Sequence, residues 1–155
     1  MANTYTQLNI HAVFVVKGRA NLLNDKIRHD VFRYISGILK NLGQFPLAVN
    51  GYKDHVHIFF EMSTTKSLSD ILRDVKSNSS KWINENSLIK GRFEWQEGYA
   101  AFSYAKSQRN TVIRYIENQE QHHKRRSFRD EYLDLLKKFD MEYNVDYLFE
   151  FYDDL

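Results

Sequence analysis

The chain has 155 residues, of which 43% are hydrophobic and 15% aromatic, and its formal net charge is +2. This length and apolar content predict one folded domain over residues 1–155 rather than a disordered chain. The lack of cysteine excludes disulfide bonds, thiolate metal sites and cysteine nucleophiles. No apolar run reaches membrane-spanning length, so we expect a cytoplasmic protein with no membrane partner.

The first half of the chain begins with a strand pattern followed by a helix pattern. Residues 8–16 are rich in β-branched and apolar side chains, which predicts a nearly continuous buried strand. Apolar residues then recur at helical spacing between 27 and 42, and Gly43 follows where a helix-terminating glycine is expected. A second strand over 45–50 and a turn at 51–54 complete a hairpin with the next strand.

That third strand carries two histidines on one side. Alternate residues form a wholly apolar row, made of Val56, Ile58, Phe60 and Met62. His55 and His57 therefore leave the opposite side of the strand together, with backbones roughly 6.5–7 Å apart. Two imidazoles at this separation are able to bind one cation. The same pattern is also typical of two half-exposed surface histidines. A further candidate ligand elsewhere in the chain is needed to distinguish the two interpretations.

The remaining patterns complete a recognisable order of elements. They are a helix over 68–83 capped by Ser67, a strand over 98–104, a helix from Ser107 to about Gln121, and a helix over 128–139. The order predicts an α+β fold, a ferredoxin-like βαββαβ sandwich with an antiparallel sheet and two helices on one face. The histidines fall on the other face, and the helix from Ser107 is placed to cover it.

The helix from Ser107 contains the second half of a candidate site. Tyr115 and Gln119 are four residues apart and share one flank of this helix. The Gln119 carbonyl oxygen is able to complete a set with His55 and His57 around Mg²⁺ or Mn²⁺. Tyr115, one turn away, is the candidate nucleophile. A tyrosine on a helix is more often structural, but its pairing with the histidines favours catalysis.

Five stretches together resemble the small single-tyrosine transposases of the HUH endonuclease superfamily, where HUH means His-hydrophobe-His. The REP-associated tyrosine transposases are close relatives that share this domain. The stretches are residues 11–19, His55-Val56-His57, residues 75–82, residues 95–103 and residues 115–119, and further matches continue to residue 132. Gly18 and Ser77-Asn78 depart from the residues commoner in the family, at positions outside the proposed chemistry.

The resemblance implies a metal-dependent transposase that cuts and rejoins single-stranded DNA at element ends and recognises hairpins. A metal held by His55, His57 and Gln119 is then expected to polarise the scissile phosphate. Tyr115 attacks phosphorus and leaves a 5′-phosphotyrosine with a free 3′-OH. The resemblance also favours a homodimer with Tyr115 acting in trans, in a bacterial cytoplasm and at the nucleoid when DNA is bound.

Cationic side chains are the candidate contacts to the DNA backbone. They are Arg73, Lys76, Lys81, Arg109, Arg114, Lys124, Arg125 and Arg126. For Arg73 and Lys76, which lie on one face of the helix over 68–83, a solvated face without DNA contacts is the alternative interpretation.

Two other functions stay open on the sequence. A domesticated relative acting on host repeat hairpins would use the same residues. A non-catalytic RNA-binding module on a ferredoxin-like sheet would leave His55, His57 and Tyr115 unexplained. The 2H phosphoesterases are disfavoured because neither histidine has Ser or Thr two residues later.

Overall fold

Four antiparallel strands form one sheet in the order β2-β3-β1-β4, in a computed structural model that describes residues 2–152. The strands are β1 Asn9–Val15, β2 Phe45–Gly51, β3 His55–Glu61 and β4 Ala100–Tyr104. The helices are α1 Arg28–Asn41, α2 Leu68–Glu85, α3 Arg109–Glu117, α4 Gln119–His123 and α5 Phe128–Lys138. The predicted βαββαβ order and antiparallel α+β sandwich are confirmed.

Helices α1 and α2 cover one face of the sheet. The apolar row of β3 (Val56, Ile58 and Phe60) is fully buried in the main core together with apolar residues of both helices. Local sequence determines where these helices begin and end. The Ser67 hydroxyl accepts a hydrogen bond from the Asp70 amide at the start of α2. Gly43 after α1 has a φ of 76°, a conformation that glycine adopts at no steric cost.

The opposite face of the sheet is covered by α3 and α5. Phe59 of β3 packs against Val112 and Ile116 of α3. Val13 and Val15 of β1 form a second cluster with the apolar stripe of α5. Both central strands are therefore buried on both faces, and the histidines of β3 lie beneath these two helices.

The helix predicted from Ser107 to about Gln121 is interrupted at Asn118. Helix α3 ends at Glu117, and α4 starts at Gln119. The Asn50 side chain of β2 donates to the backbone carbonyls of Ile116 and Glu117, at 3.0 and 3.2 Å. These bonds satisfy carbonyls at the end of α3, and the short helix α4 gives Gln119 and the residues after it a separate orientation.

The C-terminal segment packs on the body of the protein. The backbone amide of Gly18 donates a 2.5 Å hydrogen bond to the buried Tyr152 hydroxyl. Residues 153–155 lie outside the described residues. Among the helices of residues 2–152, none is long and apolar enough to cross a membrane.

Candidate metal and tyrosine site

The two histidines of β3 point to the same side and are completely buried. Antiparallel pairing places His55 opposite Val15 and His57 opposite Val13. Nδ1 of His55 lies 2.7 Å from Oδ1 of Asp54, which immediately precedes the strand. Because a carboxylate accepts, this contact leaves Nε2 of a neutral His55 as a free electron-pair donor. Half-exposed surface histidines, the alternative interpretation, do not fit this burial.

His57 is held from both sides of its ring. Nδ1 of His57 lies 2.7 Å from Nε2 of His11, a buried histidine of β1. Its other nitrogen, Nε2, lies 3.1 Å from Oε1 of Glu131. Burial lowers the pKa of His57 despite the nearby Glu131 carboxylate, which raises it. His57 is therefore expected to be neutral, as a metal-binding imidazole must be.

Helix α4 places Gln119 and His123 beside His55. Oε1 of Gln119 lies 3.0 Å from Nε2 of His55 and 2.9 Å from Nε2 of His123. The Gln119 amide nitrogen donates to Oε2 of Glu131 over 2.8 Å, which fixes the direction of the amide. The carbonyl oxygen thus faces the two histidines.

Glu131 of α5 is the residue that sequence reasoning missed. Its side chain is only 2% exposed, yet it contacts residues from three other elements, including His57, Gln119 and His123. Burial raises the pKa of Glu131, but the neighbouring imidazoles, His57 first and then His123 and His55, bring it well below the usual range. The sequence does contain a signal for Glu131. It is an acidic residue on the otherwise apolar, buried stripe of α5, next to Phe128 and Tyr132, and a buried carboxylate is rare unless it is paired.

These groups fit a divalent cation. The ligand atoms of His55, His57 and Glu131 all lie within 4.8 Å of one another, and the three side chains are buried. Neutral imidazole nitrogens, a carboxylate oxygen and an amide oxygen are all electron-pair donors, so their convergence requires protons or a cation between them. Although burial opposes it, Asp54 at the outer nitrogen raises the pKa of His55.

Tyr115 meets the histidines within the same chain. Its hydroxyl donates to Oε2 of Glu131, and its ring lies 5.8 Å from that of His57, centroid to centroid. Burial first, and the Glu131 charge next, raise the pKa of Tyr115 well above its usual value. The phenol is therefore protonated in the free protein, and its oxygen needs activation before it can attack.

A cavity of about 400 Å³ leads from the surface to Tyr115 and Glu131. Tyr104, His122 and Lys138 contribute to its walls. Nε2 of His122 is buried without a hydrogen-bond partner in the part of the chain that the structure describes, 3.5 Å from Oε2 of Glu131. The cavity gives a substrate access to the tyrosine, while the histidines of β3 stay beneath it.

The predicted DNA contacts divide into two groups. Three of them are half-buried and bind the protein itself: Lys76 donates to the carbonyls of Gln96 and Gly98, Arg109 binds Asn9, Gln7 and Glu61, and Arg126 binds Asp134. The others are exposed at the surface: Arg73, which also pairs with Asp70 and Asp74, Lys81, which pairs with Glu85, and Arg114, Lys124 and Arg125. Arg73, Lys76 and Lys81 line one side of a groove of about 990 Å³ between α2 and residues 91–99, apart from the tyrosine site.

Comparison with known proteins places this geometry in context. The family model described as "Transposase IS200 like" matches residues 4–119. A comparison with curated proteins finds no match. One similar solved structure is a candidate transposase from Deinococcus radiodurans R1, with a TM-score of 0.61 and 20% identity over 77% of this chain and 95% of that one. Another is a REP-associated tyrosine transposase bound to a REP hairpin, with a TM-score of 0.58 and 12% identity over 79% of this chain and 73% of that one.

Proposed function

The chain belongs to the IS200-like transposase family, and we propose that it cuts and rejoins single-stranded DNA through a covalent bond to Tyr115. The observation that carries this proposal is the Tyr115 hydroxyl, which lies beside a buried set of metal-binding groups and at the end of an open cavity. We propose that residues 1–155 act as one domain, in the bacterial cytoplasm at the nucleoid.

In the proposed reaction, the Tyr115 oxygen attacks the phosphorus of a DNA phosphodiester. The bond between phosphorus and the 3′-oxygen breaks, so the 5′-phosphate stays on the tyrosine. The tyrosine loses its proton and the departing 3′-oxygen gains one. The phosphodiester is conserved as a phosphotyrosine, so the 3′-OH of a second strand end can reverse the step without ATP. Glu131 accepts the hydrogen bond of the phenol and so orients it for attack.

His55, His57 and Gln119, with Glu131 beside them, are the residues that would hold Mg²⁺ or Mn²⁺. When bound, such an ion supplies Lewis-acid stabilisation of the negative charge on the phosphate. The side chains themselves exclude water, because all four are buried. Asp54 and His11 orient the two imidazoles of β3 through their outer nitrogens.

We propose hairpin DNA as the substrate, since the REP-associated relative of similar fold is bound to a REP hairpin. The exposed cations on α2 and between α4 and α5 supply contacts to phosphates, and Lys76 supports the wall of the α2 groove. The same likeness favours a second candidate function, in which a domesticated protein acts on host repeat hairpins with this chemistry.

We propose that Tyr115 works with the histidines of its own chain, because α3 brings it to Glu131 and His57 without a partner. The homodimer with Tyr115 in trans, expected from the resemblance, is the competing arrangement. Mixing His57→Ala with Tyr115→Phe protein distinguishes the two, provided subunit exchange is verified. Recovered cleavage would establish action in trans, whereas no recovery is expected for action in cis.

Cleavage of labelled hairpin DNA from the sequence flanking the gene tests the proposed function. We expect wild-type protein with Mg²⁺ or Mn²⁺ to yield one fragment that ends in a free 3′-OH and a second, downstream fragment whose 5′-phosphate is linked to the protein. A chelator should prevent both products. Metal-independent cleavage, or cleavage that leaves no protein-linked DNA, would contradict the proposed reaction.

A further inference from the structure

The contacts of His123 differ from those of an ordinary buried histidine. Its Nδ1 lies 3.0 Å from the backbone carbonyl oxygen of Arg126. A carbonyl oxygen only accepts, so Nδ1 carries a hydrogen and donates it. The other nitrogen, Nε2, lies 2.9 Å from Oε1 of Gln119 and 3.2 Å from Oε1 of Glu131. In neutral His123 this nitrogen has only a lone pair to present to two further acceptors.

An arrangement of three acceptors is stable only with positive charge among them. Gln119 cannot relieve it by turning its amide, because that amide nitrogen already donates to Oε2 of Glu131. His55 repeats the pattern on the other side of Gln119, with Nδ1 directed at Asp54 and Nε2 at the same amide oxygen. An imidazole whose outer N–H is fixed by a carbonyl or carboxylate is typical of a metal ligand.

We infer that His123 is a third imidazole ligand of the metal centre, beside His55 and His57, and that the centre therefore prefers Mn²⁺ to Mg²⁺. This inference rests on the proposed metal-dependent function. Bonds of about 2.1 Å at right angles separate neighbouring donors by about 3.0 Å. The distances of Nε2 of His123 from its two oxygen neighbours, 2.9 and 3.2 Å, match that separation.

The preference for Mn²⁺ follows from the kind of donor. Imidazole suits transition-metal ions, whereas Mg²⁺ favours carboxylate, carbonyl and water oxygens and gives up water reluctantly. A set with three imidazoles, one carboxylate and one amide is richer in nitrogen than the His55, His57 and Gln119 set predicted from the sequence. The third imidazole was not predicted, because its role depends on the loop carbonyl of Arg126.

The position of His123 is well supported by its neighbours. Its side chain is 3% exposed, and its ring is stacked on that of Tyr52, with centroids 5.6 Å apart. The Arg126 side chain binds the Asp130 carbonyl in the first turn of α5 and the Asp134 carboxylate one turn later. This anchoring holds the Arg126 carbonyl, and through it the direction of the His123 ring.

Calorimetric titration of Mn²⁺ and Mg²⁺ into metal-free protein tests the inference without any measurement of DNA cleavage. We expect wild-type protein to bind Mn²⁺ more tightly than Mg²⁺. His123→Ala should weaken Mn²⁺ binding by at least the roughly 10–100-fold that loss of an outer partner costs. His123→Gln, which supplies an amide oxygen instead, should narrow the preference for Mn²⁺. His29→Ala removes an exposed histidine of α1 and should change neither affinity.

Pulsed electron paramagnetic resonance of the Mn²⁺-loaded wild-type protein provides a readout independent of any substitution. Three coupled imidazole nitrogens are expected in the wild type and two in His123→Gln. Two nitrogens in the wild type, or equal Mn²⁺ affinity in wild type and both His123 variants, would overturn the inference and leave a two-histidine metal site intact. Failure of wild-type protein to bind Mn²⁺ would overturn it together with the metal requirement of the proposed function. Circular dichroism identifies any variant that does not fold. In that case the number of coupled nitrogens in the paramagnetic resonance spectrum of the wild-type protein decides whether His123 is a ligand.

Discussion

Nε2 of His11 lies 2.7 Å from Nδ1 of His57, and the two buried rings are stacked with an interplanar angle of 21°. If Nε2 of His57 binds a metal ion, its hydrogen must reside on Nδ1 and be donated to His11. His11 is then a positioning residue that selects the tautomer and direction of His57. Among the described residues, His11 itself forms no hydrogen bond with Glu131 or Tyr115.

The pair predicts a difference between two variants of His11. His11→Leu removes the acceptor and should weaken Mn²⁺ binding about 10–100-fold. His11→Gln retains an acceptor oxygen and should recover much of that loss. Because leucine leaves the buried Nδ1 of His57 without an acceptor, His11→Leu should also lower the free energy of unfolding by about 1–3 kcal/mol. Calorimetry and thermal unfolding of both variants check this, and equal Mn²⁺ affinity in the two would refute the positioning role.

Glu131→Gln keeps the size of the side chain but removes its negative charge. The carboxylate accepts from Tyr115 and Gln119 and lies beside His57. We expect a loss of Mn²⁺ affinity of at least about tenfold, with little DNA adduct formed at limiting Mn²⁺. Glu142→Gln, at an exposed position, is the matched control. Unchanged metal affinity in Glu131→Gln would show that this carboxylate is structural only.

His57→Ala and Gln119→Ala should differ in degree. Both side chains are fully buried, so each variant leaves a cavity. An amide oxygen is a weaker ligand than an imidazole for Mn²⁺, so Gln119→Ala should reduce metal affinity and cleavage less than His57→Ala does. Titration of Mn²⁺ into each variant gives the order. Unchanged affinity in His57→Ala would argue against any metal role for the β3 histidines.

Arg109 and Arg114 should separate stability from DNA binding. The Arg109 guanidinium binds Asn9, Gln7 and Glu61, whereas Arg114 is exposed. Arg109→Leu should lower the free energy of unfolding by about 1–3 kcal/mol, because it removes charge-assisted hydrogen bonds. It should leave hairpin affinity nearly unchanged. Arg114→Ala should leave the free energy of unfolding nearly unchanged and weaken hairpin binding at low salt. Denaturant unfolding and binding measurements on both variants check this. A loss of hairpin affinity in Arg109→Leu would restore Arg109 as a DNA contact.

The sequence was sufficient for the sheet and the first helical layer because their signals are local. Period-two alternation located β3, and the Ser67 cap located α2. The docking of α5 was not predictable in this way, since an amphipathic stripe shows which side is buried but not against what. Glu131 entered the site only through that docking.

The break at Asn118 had a similar origin. The pattern from Ser107 onward is helical throughout, and the Asn50 side chain that meets the end of α3 is distant in sequence. The sequence does not reveal that contact, so it predicted the relative positions of Tyr115 and Gln119 from one continuous helix. His11 was likewise recognised only within a family motif, because its partner His57 lies 46 residues away.

Mapping of the covalent adduct is the most direct test of the central claim that Tyr115 is the nucleophile. Wild-type protein is incubated with Mn²⁺ and hairpin DNA, digested, and the peptide that carries the 5′-phosphate is sequenced by mass spectrometry. We predict that this peptide contains Tyr115, that Tyr115→Phe forms no adduct while still binding the hairpin, and that Tyr147→Phe, at an exposed tyrosine, forms it normally. An adduct on another tyrosine, or one that persists in Tyr115→Phe, would contradict the claim.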